Sequence, residues 1–206
     1  MGHRAHARQR VPALTERSVL RTARRIQQRL ESFYALEAGP DVTAFVRVAP
    51  AGERETLLVR EDSSGLEVGL LLPAESEDAT LDNEAQVIEG VSHFVYLAER
   101  ARIELAMTEL ELELQAEVDK FVILAFDGTA LADNRASIVR RALFADAEHL
   151  HSEDTVRGRR YRLASRLAER IVARFVERRP SSDAQQFLRR FYRAGQADKL
   201  RLAKAA

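Results

Sequence analysis

The sequence predicts an α+β protein: a small antiparallel three-stranded meander packed by helices, with a helical C-terminal half. Three observations predict it. Apolar residues recur at helical spacing through most of the 206 residues, three short strand-like segments stand together between residues 42 and 72, and their links are too short to hold crossover helices.

From Thr15 to about Ala38, Val19, Leu20, Ala23, Ile26, Leu30, Phe33 and Tyr34 follow helical spacing, and Gly39-Pro40 stops the run. The segments "VTAFVRV" (42–48), "ETLLVRED" (55–62) and "LEVGLLL" (66–72) read as strands, with "APAGER" and "SSG" as their turns. Leu66, Val68, Leu70 and Leu72 line one face of the third strand, which needs a helix against it because three strands alone bury little.

After the acidic loop 73–84, a cap at Asp82 or Asn83 is expected to open a helix reaching about residue 103. Thr108 then opens a second helix, with Glu111 as its capping-box partner, running to Asp127-Gly128. Further helices are expected over Asp133 to Glu148, about Arg159 to Arg179 with Pro180 as the stop, and Asp183 to about Ala203, where Gly195 is a weak point. Residues 1–14 read as a flexible basic tail. Residues 15–206 read as one domain, with the first helix, the meander and two helices over 15–128 and the helical part over 129–206.

With no cysteine there are no disulfides and no thiolate ligands or nucleophiles. No window resembles a membrane span or a secretory signal, so a soluble cytoplasmic protein with no membrane partner is expected. Zero net charge hides an asymmetry: residues 1–40 carry +5, residues 41–120 carry −13 and residues 121–206 carry +8. That separation predicts internal pairing or opposed acidic and basic surfaces.

The segment "RLASRLAERIVARFVER" places Arg162, Arg166, Arg170, Arg174 and Arg178 four apart, beside a large apolar ridge (Leu163, Leu167, Ile171, Phe175) and a small one (Ala164, Ala168, Val172, Val176). Residues four apart advance about 40° per step, so the arginines wind through about 160° and do not form one flat phosphate-binding face. The acidic helix mirrors them, with Glu109, Glu113 and Glu117 beside Leu110, Leu114 and Val118. The two helices are expected to pack together with Arg–Glu pairs along the edge, adding register more than stability.

Chemistry concentrates in "EGVSHFVYLAER". Glu89 and His93, four apart, project from one helix face and could act as an acid–base pair or as metal ligands, with Glu113 or Glu117 from the next helix. In "EHLHSED", His149 and His151 are further candidate ligands. Zincin, di-iron and phosphate-loop motifs are absent, and no cofactor is indicated.

The favoured expectation is a protein–protein interaction or regulatory module, pairing with a protein partner or with itself through charge-edged helices. The first alternative is a metal-dependent or acid–base enzyme centred on Glu89, His93 and the adjacent acidic helix, with Glu89, His93 and Glu117 as the catalytic candidates. The second is nucleic-acid binding through the arginine-rich C-terminal half.

Overall fold

A computed structural model describes residues 7–63, 65–74, 80–127, 130–131, 133–145, 152–177 and 182–206. The α+β expectation holds, with helices predominating over one small three-stranded sheet. No helix among these residues is long and apolar enough to cross a membrane.

Helix α1 spans Ala7–Tyr34, starting before the expected Thr15 and ending before Gly39-Pro40. Its end is set by Ala35, at φ 50°, and by Leu36, whose N–H returns to the Glu31 carbonyl at 2.9 Å, as in a left-handed helix cap. Arginines of a later helix take the carbonyls left over: Arg189 donates to Phe33 O at 2.7 Å, and Arg193 donates to Tyr34 O at 2.9 Å and Ala35 O at 3.0 Å.

Asp41 accepts from Thr43 N–H and Oγ1, folding Val42–Ala44 into a 3-10 turn and leaving only Val46–Val48 as β1. Strands β2 (Thr56–Asp62) and β3 (Gly65–Leu72) form the expected hairpin, with Leu57 opposite Leu70 and Val59 opposite Val68. The antiparallel meander is corrected to a mixed sheet: β3 is central, and β1 pairs with it in parallel, Val46 opposite Leu70 and Val48 opposite Leu72. A parallel neighbour needs no crossover helix when an antiparallel strand lies between the two in sequence. Residues 49–55 can cover about 23 Å, ample to pass two strand spacings of about 10 Å. The most apolar strand thereby gains neighbours on both edges, and Leu70 and Leu72 are fully buried, whereas Leu66 near the hairpin tip stays exposed.

Helix α2 (Leu81–Arg102) lies on this sheet. Its cap is Thr80, whose Oγ1 accepts from Asn83 N–H at 3.2 Å, in place of the expected Asp82 or Asn83. A Cβ on Gly90 would stand 2.6 Å from Leu72 Cδ2 and 3.2 Å from Leu70 Cδ1, so the glycine is what lets α2 approach β3. Helix α3 (Glu109–Ala125) opens on the expected Thr108–Glu111 capping box and is buried along most of its length between α2 and α5 (Val156–Glu177). Arg29 of α1 donates to Ile123 O and Phe126 O at its end. There Phe126–Asp127 and Ala130–Leu131 form the short pair β4–β5.

The helix expected over 133–148 is α4 (Asp133–Arg140), continued by a π-helical turn over Arg141–Ala145. Helix α5 starts before Arg159 because Thr155 Oγ1 accepts from Gly158 N–H at 2.9 Å. The final helix divides at Gly195, the expected weak point, into α6 (Ser182–Arg193) and α7 (Gln196–Lys204). One apolar core runs from α1 through α2 and α3 to α5 and α6, centred on Tyr34, Tyr96, Phe121, Ile171, Phe191 and Tyr192.

Candidate metal centre

Three of the candidate residues converge. Glu89 and His93 project from the same face of α2, and Glu113 reaches them from the first half of α3, whose phase is fixed by its capping box. One ligand atom from each of the three lies within 4.8 Å of the others, and all three side chains are buried. His93 Nε2 stands 3.7 Å from Glu113 Oε2, beyond hydrogen-bond reach, and this buried nitrogen has no hydrogen-bond partner. Donor atoms held at about 2.0–2.2 Å from one ion stand about 3 to 3.6 Å apart, so the spacing closes around a cation with small rotations.

Glu117 is drawn to the other side of the cluster. Lys120 Nζ bonds Glu117 Oε1 at 2.7 Å and Glu89 Oε2 at 3.2 Å, so Glu89 is shared between the triad and an ammonium. Burial works against the charge of Lys120, but Glu117 and Glu89 beside it prevail and raise its pKa. Glu89 is likewise penalised by burial, yet the charge and hydrogen bond of Lys120 hold it below the usual carboxylate value. Burial pushes Glu117 up against the pull of Lys120.

At Glu113 burial and the charge of Glu89 raise the carboxyl to about 8, and the same two causes take Glu55, on the link into β2, to about 7. Burial lowers His93 to about 4, which leaves its imidazole neutral at ordinary pH and able to ligate. Tyr161 of α5 hydrogen-bonds Glu113 and is held by Arg157, whose guanidinium lies over its ring.

The acidic and basic helices do pack, but their charges meet off the expected edge. Arg160 pairs with Glu109 and lies 3.9 Å from Glu113. Arg160 belongs to the ridge of Ala164 and Ala168, the face that α5 buries, whereas the ladder arginines lie to its side. Arg162 pairs with Glu153 at 3.4 Å, Arg174 lies over the Phe187 ring at 5.1 Å, and Arg166 and Arg170 are exposed. Arg178, His149 and His151 fall outside the described residues.

Lys120, Glu55, Arg160 and Tyr161 are the participants that sequence reasoning missed. For Lys120 a signal existed: the chain has 29 arginines and three lysines, and two of those lysines, Lys120 and Lys199, are buried. A chain that carries its surface charge on arginine keeps lysine where a compact ammonium is needed.

A second polar cluster lies on the opposite side of α3. Asp119 accepts from Tyr34 Oη at 2.5 Å, Ser92 Oγ at 2.6 Å and Gln115 Nε2 at 2.8 Å, while Lys199 Nζ donates to Gln115 Oε1 at 2.5 Å. Asp119, Ser92, Gln115 and Lys199 have no solvent exposure at all. Glu89, His93, Glu113, Glu117 and Lys120 each keep 6–9% of theirs, so the first cluster is buried but less completely sealed than the second. No protein family, curated protein or solved structure matches the chain.

Proposed function

We propose that this chain is a metal-dependent, water-activating enzyme whose divalent ion is held by Glu89, His93 and Glu113. The observation that carries the reading is the convergence of the three ligand atoms within 4.8 Å around a buried, unpartnered His93 Nε2. One imidazole and two carboxylates suit Mn²⁺, Fe²⁺ or Zn²⁺ better than Mg²⁺ or Ca²⁺, which favour all-oxygen sites. Three protein ligands leave at least one coordination position for water, the pattern of catalytic sites as opposed to closed structural ones. Such an ion supplies Lewis-acid activation of water. The chain's own residues would orient the ligands: Lys120 holds Glu89, and Tyr161 holds Glu113.

The interaction-module reading depended on the arginine ladder meeting the acidic helix. With Arg160 in that role, its remaining support is the exposure of Arg166 and Arg170 on α5.

The test is metal analysis of purified protein, followed by Mn²⁺ and Zn²⁺ titration of metal-stripped protein. One ion per chain is expected, with the melting temperature raised by a stabilisation of about 2.7 kcal/mol at a hundredfold excess over Kd. His93→Ala and Glu113→Gln should each weaken binding by about a hundredfold or more and abolish metal-stimulated hydrolysis across a panel of nitrophenyl esters and phosphate esters. Absence of bound metal and of any metal-induced stabilisation would reject the reading.

A further inference from the structure

We infer that Lys120 is a built-in second cation, so that the centre is a hybrid of one metal ion and one ammonium sharing the carboxylate of Glu89. The inference rests on the metal reading above. Two-metal sites place two cations about 3.5–4 Å apart, commonly joined by a shared carboxylate, and use both to hold the oxygens of a reacting group. In this protein Glu89 has that bridging position, with the triad on one side and Lys120 on the other at 3.2 Å.

Glu117 completes the second half. It sits on α3 one turn beyond Glu113, where a ligand to a second ion would be placed, but at 2.7 Å it accepts from Lys120. Four carboxylates, Glu55, Glu89, Glu113 and Glu117, crowd this cluster, and Lys120 is the cation buried among them. A guanidinium is too broad and too directional for the gap between Glu89 and Glu117. An ammonium is a compact point charge with three donors, closer to a metal ion in shape. Two of those donors go to Glu89 and Glu117, and the third is left for a substrate or water oxygen. The substrate class that suits a metal ion beside a fixed ammonium is one that develops negative charge on oxygen, as esters, amides and phosphate esters do on attack by water.

The experiment is the stoichiometry of Mn²⁺ and Zn²⁺ binding to the metal-stripped full chain, measured by calorimetry and by metal analysis after gel filtration. Wild type should bind one ion and Lys120→Ala two, because removing the ammonium frees Glu117 and one side of Glu89. Glu117→Gln should still bind one ion, weakened by less than about tenfold because it touches no ligand directly, whereas Glu113→Gln should lose about a hundredfold or more. This comparison stands even where Lys120→Ala fails to fold. A wild type that binds two ions overturns the hybrid centre and leaves the metal reading intact. So does Lys120→Ala that folds and binds one ion, or Glu117→Gln that loses as much affinity as Glu113→Gln. A wild type that binds none overturns the metal reading and this inference with it.

Discussion

Replacing Asp119 by Asn removes the one carboxylate of the sealed network between α1, α2 and α3 and should change how stability depends on pH. Burial, opposed by hydrogen bonds from Ser92, Tyr34 and Gln115, raises this carboxyl to about 6 from an ordinary 3.8. The folded-state value lies above the unfolded one, so between the two the folded protein holds more protons than the unfolded chain. Asp119 therefore contributes stability that is fully present below the unfolded value and is lost as pH rises through about 6. The full difference amounts to about 3 kcal/mol, of which about 2 kcal/mol falls between about pH 4.5 and pH 7.5. The amide that Asp119→Asn introduces cannot ionise, and any fixed cost of its altered hydrogen bonds is the same at both pH values. The chain has no tryptophan, so urea titrations followed by far-ultraviolet circular dichroism are the suitable assay. From the lower to the higher pH, the stability difference between the two proteins should move by about 2 kcal/mol in favour of the variant. An offset constant to within about 0.5 kcal/mol would refute the placement of an ionisable Asp119 in a sealed site.

Further substitutions test the packing. Gly90→Ala, which helix propensity alone would credit with about 1 kcal/mol, should instead destabilise by about 1 kcal/mol, because its Cβ meets the fully buried Leu72 at 2.6 Å; urea unfolding gives the sign. Thr108→Ala removes the oxygen that caps Glu111 N–H at 3.2 Å and should lower the melting temperature by about 2–4 °C. Arg160→Glu sets a like charge against Glu109 and places it beside the buried Glu113 carboxyl, and should cost about 2 kcal/mol or more, whereas Arg166→Glu and Arg170→Glu, on the exposed edge, should each leave the melting temperature within about 2 °C of wild type.

Where information was local, the sequence carried it. The Thr108–Glu111 capping box, the β2–β3 hairpin and the break at Gly195 each depend on residues a few positions apart, and each is present. Contacts between distant groups were not legible: the carbonyls left at the end of α1 are taken by arginines of α6, some 155 residues further on. Strand order was lost for a related reason, since β1 and β2 carry similar patterns and only the apolar β3 beneath Gly90 decides which strand is central. At the candidate metal centre the i, i+4 pair Glu89 and His93 was legible from spacing alone, and Glu113 followed as one of two candidates on the next helix. Lys120 stayed hidden because a lysine after acidic residues reads as an ordinary surface ion pair. Arg160 was missed because its charge interrupts a ridge that otherwise reads as small and apolar.

The two polar clusters impose a constraint on α3 itself. At 100° per residue, Glu113, Glu117 and Lys120 fall within an arc of about 60°, and Gln115 and Asp119 lie about 200° away around the same axis. A slide of one residue along α2 would turn the acidic face out of contact with His93 and carry a second ionisable group toward the compartment that Tyr34, Ser92 and Lys199 close off. Each cluster thus acts as a key against rotation for the other, so the helix that bears half of the candidate centre has a single angular setting. On the proposed reading, any opening to a substrate would therefore come from the elements around α3, among them the start of α5 with Tyr161 and Arg157, while Glu113 keeps its setting.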